Sequence, residues 1–302
     1  VLDTDAGACL LPLEGNMGYA EASLLEPWGC VVATYTQRRR LEPKTDGMMW
    51  IIGQPGDKTE YTFSAGLNAP ATIVLTDAPP SVQTLVGRTN AHVMVRDGLS
   101  AADYAALSEE VTGGLGFDDI VALDPREATA VSTIARQIAR RGTLNMVGQT
   151  PLDGLVDADM GRLHYDYIAF LGNRGPDIAA SYGEGRNRCE LTPHGAAVFI
   201  GAGGPMGQMH VQRAIELPNG PRLVIATEVN DNRLEAVRER FAPLAQKNNV
   251  ELLVFNPANS DESLYDFVMQ ATDGLGADDV VVSVPVAALM AEAATVLNEN
   301  GM

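Results

Sequence analysis

Seven residues, Gly201-Ala202-Gly203-Gly204-Pro205-Met206-Gly207, stand between the apolar run Ala196–Ile200 and a segment with helical patterning, and Glu228 closes the next apolar run. Glycines in such a turn let the backbone bend sharply and approach a pyrophosphate, and the helix start supplies free N–H groups and a positive dipole end. A carboxylate on the following strand can accept bonds from a ribose diol. The stretch reads as a dinucleotide site with cofactor-binding residues Gly201, Gly203, Gly204, Pro205, Met206, Gly207 and Glu228. Its spacing is not standard: G-x-G-x-x-G begun at Gly201 would need glycine at Met206. It is either GxxGxxG or a one-residue insertion, and the competing reading is a tight strand–helix turn that only packs. Glu228 favours NAD, because a carboxylate repels a 2′-phosphate. Arg233, five residues on, keeps NADP as the alternative.

Other chemistry is poorly represented. His92, His164, His194 and His210 are far apart and lack the i+3 or i+4 partners of a metal pair. His210, one turn into the helix after the glycines, and His164, beside Tyr165 and Tyr167 on an expected strand, read as structural. No tyrosine has lysine four positions on, which removes the usual acid of short-chain dehydrogenases. G-x-S-x-G and G-x-x-x-x-G-K-[ST] are absent, against α/β-hydrolase and P-loop chemistry. Cys9, Cys30 and Cys189 form neither a disulfide framework nor a C-x-x-C pair.

The elements that must position the glycine turn occur twice. Gly113-Gly114-Leu115-Gly116-Phe117-Asp118-Asp119-Ile120-Val121 parallels Asp273-Gly274-Leu275-Gly276-Ala277-Asp278-Asp279-Val280-Val281. Each block follows a helical pattern (101–111 and 263–271) and runs into an apolar strand closed by Pro125 or Pro285. An alanine-rich helix ending at Gly142 or Gly301 comes next. Upstream, two apolar strands end in carboxylates, Asp77 and Glu228. Alternating strand and helix periods predict an α/β fold: tandem Rossmann-like, doubly wound parallel sheets, the second incomplete. The expected division is a lead-in segment over 1–45, a first domain over 46–185 and a second over 194–302. The first repeat's turn, Gly53-Gln54-Pro55-Gly56-Asp57-Lys58, keeps the 21-residue interval from Gly56 to its acid, as from Gly207 to Glu228. It lacks a third glycine, and Asp57 would repel phosphate, so a degenerate, structural first repeat is expected, with a second working nucleotide site as the alternative. Further strands are expected at 142–149 and 167–171.

At 302 residues the chain has room for two domains of roughly 150 residues each. Its 39 acidic and 21 basic residues give a net charge of −18, which disfavours nucleic acid and anionic membranes as partners. The basic run at 38–40 reads as solvated. No apolar run reaches the ~18–20 residues that span a bilayer, and few scattered cysteines fit a reducing, cytoplasmic setting.

Leu11-Pro12, Met17-Gly18-Tyr19-Ala20-Glu21-Ala22 and Glu26-Pro27-Trp28-Gly29-Cys30-Val31, followed by βαβ units, resemble the hinge and cofactor domain of medium-chain, zinc-dependent alcohol and polyol dehydrogenases. The sorbitol dehydrogenase and sorbose-1-phosphate reductase branch is the most similar in character. The 201–207 stretch resembles that family's phosphate turn, and Leu163-His164-Tyr165-Asp166-Tyr167 a late strand region of its cofactor domain. The resemblance implies an oxidoreductase that moves a hydride between NAD and a small-molecule alcohol, polyol or sugar phosphate. It also implies Glu26 as the one candidate catalytic residue. The family's zinc-binding cysteine and Gly-His-Glu motif do not occur, so zinc would come only from sequence outside this chain. The alternatives are a non-catalytic tandem Rossmann module that senses a nucleotide or assembles with a partner, and a methyltransferase using S-adenosylmethionine. A homo-oligomer is left open.

Overall fold

The structure, a computed structural model, describes residues 13, 15–36 and 40–302. Cys9, Leu11-Pro12, Arg38 and Arg39 lie outside them. In chain order the elements are α1 Tyr19–Ala22, α2 Leu25–Thr36, β1 Met48–Ile52, β2 Thr72–Thr76, α3 Pro80–Val86, β3 His92–Val95, α4 Tyr104–Thr112, β4 Phe117–Leu123, α5 Ala128–Ala135 and β5 Ile138–Val147. Then follow α6 Met160–Tyr165, β6 Ala169–Asn173, β7 Ala196–Ile200, α7 Pro205–Glu216, β8 Leu223–Thr227, α8 Asp231–Lys247, β9 Glu251–Phe255, α9 Leu264–Ala271, β10 Asp279–Val282 and α10 Ala287–Thr295. No described helix is long and apolar enough to cross a membrane. The chain forms two compact units: Arg38–Arg188, and the residues up to Gln37 together with Cys189–Met302.

In the unit of residues 38–188 six parallel strands lie in the order β3-β2-β1-β4-β5-β6, the doubly wound arrangement in which the winding reverses between β1 and β4. Strand β1, Met-Met-Trp-Ile-Ile, is apolar on both faces because both are covered. Trp50 and Ile52 join Tyr104, Phe117 and Val131 on one side, and Met49 and Ile51 join Ile73, Val82 and Val121 on the other. No helix forms between β1 and β2; Tyr61 and Leu67 of the irregular connection cover that face instead.

The other unit's sheet runs β10-β7-β8-β9, all parallel, reversing between β7 and β10. Phe199 faces α7, α8 and α2, and Val198 and Ile200 face α9 and α10. Residues 25–36, placed by sequence reading in a lead-in to the first repeat, pack here through Val31 and Tyr35.

The repeat is reproduced bond for bond. Thr112 Oγ1 accepts from Gly116 N and Thr272 Oγ1 from Gly276 N, both at 2.9 Å, closing the two glycine turns alike. Asp118 and Asp278 then accept from the first strand of their own sheet, Met48 N at 3.0 Å and Ala196 N at 2.8 Å. Asp119 and Asp279 likewise accept from Lys44 N at 2.9 Å and Thr192 N at 2.8 Å.

Two local expectations are corrected. Helix α5 stops at Ala135, and Gly142 lies inside β5: Ile138 pairs with Phe117, and a bulge with Arg141 at φ +62° resets the register to Asp119 against Thr143. Residues 163–165 are helical rather than extended. Asp159 caps α6 by accepting from Arg162 N, and Arg162 pairs with Asp166 four residues on at 2.8 Å. The strand expected at 167–171 begins at Ala169.

Candidate dinucleotide site

The 201–207 turn sits at the carboxyl end of β7, where the second sheet's winding reverses, the usual place for a ligand in an open α/β sheet. Gly201 and Ala202 both donate to Thr227 O, at 3.0 and 2.9 Å, which ties the turn to the end of β8. Gly201 has φ +80°, and a Cβ there would stand 2.5 Å from Val284 after β10. A Cβ on Gly207 would stand 2.3 Å from Gly201 O, so glycine lets α7 lie directly on the turn. Gly204 is the N-cap of α7 and Pro205 opens the helix, where its missing N–H costs nothing.

No side chain caps α7. By contrast, α8 is capped by Asn230 and α9 by Ser263. The first-turn N–H groups of α7 are therefore left for another acceptor, beside a backbone kept bare at Gly204, where a Cβ would meet nothing nearer than 3.7 Å. Met206 is partly exposed on that first turn, and Gln208 Nε2 donates to Gly203 O at 3.0 Å, bracing the loop from behind.

Glu228, 8% exposed, follows β8. Its Oε1 accepts from Val229 N at 2.9 Å and Asn230 N at 3.1 Å, and its Oε2 stands 2.5 Å from where a Cβ on Gly203 would be. The same position is 2.7 Å from Arg233 Cβ, so the first turn of α8 closes over Gly203. The structure thus brings Gly201, Gly203, Gly204, Gly207 and Glu228 together, and sets Arg233 beside them. These residues fit a dinucleotide: uncapped helix, bare glycine backbone and an oriented carboxylate.

Glu26 does not join them. It lies exposed in the first turn of α2, accepting from Cys30 Sγ at 3.2 Å, and this bond holds the Cys30 thiol above its usual range. Among the described residues no group of three or more His, Cys, Asp or Glu could hold a metal ion.

Sequence reasoning missed a buried cluster behind the turn. The Tyr35 hydroxyl lies 2.7 Å from His210 Nδ1, the Arg213 guanidinium stacks 4.1 Å over the Tyr35 ring, and Glu190 receives both ends of Arg213 at 2.8 and 2.5 Å. Burial, then Arg213, lowers the His210 pKa to about 4, and burial foremost raises that of Tyr35. A neutral imidazole therefore shares one hydrogen bond with a protonated phenol, the tautomer of His210 setting which of the two donates. This anchors α2 on α7, with partners 175 positions apart.

The first repeat's turn is tied to the end of its second strand in the same way but packs and continues differently. Gly53 N donates to Thr76 O at 2.8 Å, and a Cβ on Gly53 would stand 2.3 Å from Asp77 O, so this glycine serves packing. Asp57 Oδ1 accepts from Thr59 N at 2.8 Å, folding the chain back where a helix would otherwise start.

No protein-family model matches the chain. Its sequence is 27% identical over 194 residues to L-sorbose 1-phosphate reductase of Klebsiella pneumoniae, covering 55% of this chain and 44% of that protein. It is 28% identical over 109 residues to mannitol-1-phosphate 5-dehydrogenase of Aliivibrio fischeri, covering 35% and 25%. The chain thus spans less than half the length of the curated relatives it matches. Among solved structures, D-arabinose dehydrogenase from Sulfolobus solfataricus is 18% identical over 51% of this chain and 46% of that one, with a TM-score of 0.31. In sequence the chain is thus similar, at 27% and 28% identity, to a sorbose-phosphate reductase and a mannitol-phosphate dehydrogenase.

Proposed function

We propose that residues 201–207 and Glu228 bind a nicotinamide dinucleotide, NAD in preference to NADP, for an oxidoreductase acting on a polyol, sugar phosphate or other alcohol. The observation that carries this reading is the uncapped N-terminus of α7 at the reversal point of its sheet, with Glu228 packed against the Gly203 backbone. The helix start would take the pyrophosphate and Glu228 the ribose diol. The bound nicotinamide would supply the chemistry of hydride transfer. The names of the two relatives, a sugar-phosphate reductase and a polyol-phosphate dehydrogenase, support the substrate class.

The donor set of the described residues does not fit zinc: Glu26 is paired with Cys30 on an exposed helix, without the three ligands that catalytic zinc needs. The same observation favours a second reading, a tandem module that binds the nucleotide without turning over substrate. NADH titration of the chain, followed by fluorescence, tests the binding; absence of saturable binding overturns both readings.

A further inference from the structure

The unit of residues 38–188 has a cleft of its own, about 260 Å³, at the carboxyl ends of β1, β2 and β4 where its winding reverses. Asp77 enters it from the end of β2, Leu99 and Ala101 from beyond β3, Tyr104 from α4, and Glu127 and Ile134 from the region of α5. Few features of the cleft would take a phosphate: Arg126 is the one cation among its lining residues, and it is paired. No helix follows β1, so no N–H array faces the turn. Ala128 N at the start of α5 is bound by Asp153 Oδ1 at 2.8 Å, and the Arg126 guanidinium is held by Asp124 at 3.0 Å.

What remains suits a different ligand. Gly98 N donates to both Asp77 carboxylate oxygens, at 3.1 and 3.3 Å, and Asp77 N donates to Asp97 Oδ1 at 2.8 Å, so the acid is held in place at the cleft. A carboxylate so held accepts two hydroxyls of a diol well and repels an anion. Leu99, Ala101 and Ile134 give an apolar wall, and Tyr104, buried against Trp50, presents a ring at its edge. The cleft is open to solvent, and its volume lies near the lower end of the roughly 300–1,000 Å³ of ligand pockets, a size that suits one nucleoside. We infer that this cleft binds a ribonucleoside carrying no phosphate, its ribose diol on Asp77 and its base against Leu99, Ala101 and Tyr104.

The test uses the full chain bearing Gly204→Val, which obstructs the α7 helix start, so the result is readable whether or not the dinucleotide reading holds. Adenosine, guanosine, cytidine and uridine are titrated calorimetrically, with AMP and NAD as anionic controls. One of the four nucleosides should bind at one per chain, with AMP and NAD weaker by about tenfold or more. Ala101→Trp, which fills the cleft, should abolish binding, and the isosteric Asp77→Asn should weaken it by about tenfold or more, with the circular dichroism spectrum unchanged. Four silent titrations, binding that survives both variants, or AMP binding as tightly as its nucleoside would each overturn the assignment.

Discussion

Glu228 Oε2 stands 2.5 Å from the point where a Cβ on Gly203 would be, so the carboxylate and the glycine backbone occupy one small space. Alanine at 203 would displace both Glu228 and the first turn of α8 through Arg233 Cβ. Gly203→Ala should weaken NADH binding at least about tenfold, an expected loss of a charge-assisted bond. Fluorescence titration checks this; unchanged affinity would separate Glu228 from the ligand.

Gly204→Val and Gly207→Val should both abolish NADH binding, for different reasons. At 207 the new side chain meets Gly201 O and distorts the turn, so a fall in melting temperature should accompany the loss. At 204 it meets open space, so binding should disappear with the melting temperature nearly unchanged. Equal affinity of both variants and the parent would remove the site assignment.

Cofactor choice should rest on Glu228. NADH should bind more tightly than NADPH, and Glu228→Ala should shrink the difference by removing both the ribose acceptor and the repulsion of a 2′-phosphate. A preference for NADPH in the unaltered chain would point to Arg233, which lies beside the same glycine.

Titration should give one dinucleotide per chain, because the first repeat has no helix after β1. Asp77→Ala should leave dinucleotide affinity nearly unchanged. A stoichiometry of two would show that the first turn binds one as well.

Acid should loosen α2 from α7. His210, with a native pKa of about 4 against 6.5 unfolded, takes up its proton more readily in the unfolded chain. Its contribution is complete above pH 6.5, falls as pH drops toward 4, and is gone below that. The loss is about 3 kcal/mol at most. His210→Gln should flatten this part of a denaturation profile, and Tyr35→Phe should cost about 1–2 kcal/mol at neutral pH by leaving Nδ1 without its hydrogen-bond partner. An unchanged pH profile in His210→Gln would assign the acid sensitivity elsewhere.

The chain should not oxidise polyols with NAD and zinc, even while binding NADH. Hydride transfer needs the substrate oxygen held within hydrogen-bond reach of a metal or acid, and among the described residues Glu26 is paired with Cys30. Turnover lost on Glu26→Gln and on chelation would show that the described residues assemble a site after all.

The parallel α/β layers and the internal duplication were legible in the sequence because they rest on short-range periods. The strands had to be buried on both faces, as in Met48–Ile52 and Ala196–Ile200, and the Gly-Leu-Gly-x-Asp-Asp blocks had to close the same turn twice. The 201–207 turn was legible for the same reason: Gly201 needs a positive φ and Gly207 a close backbone, demands met within seven residues. Tertiary structure decided what those local rules leave open. Gly53 and Gly56 look like a second turn, yet no helix follows them. Tyr61 and Leu67, brought in by the β1–β2 connection, cover the sheet instead. Helix α2 belongs with residues 189–302 because Tyr35 finds His210 and Arg213 there, a burial no local pattern encodes. Residues 163–165 became helical through the Asp159 cap and the Arg162–Asp166 pair, which outweighed an extended preference. Local backbone constraints can be read from adjacent residue types; the meeting of distant side chains depends on how the whole chain buries its apolar surface.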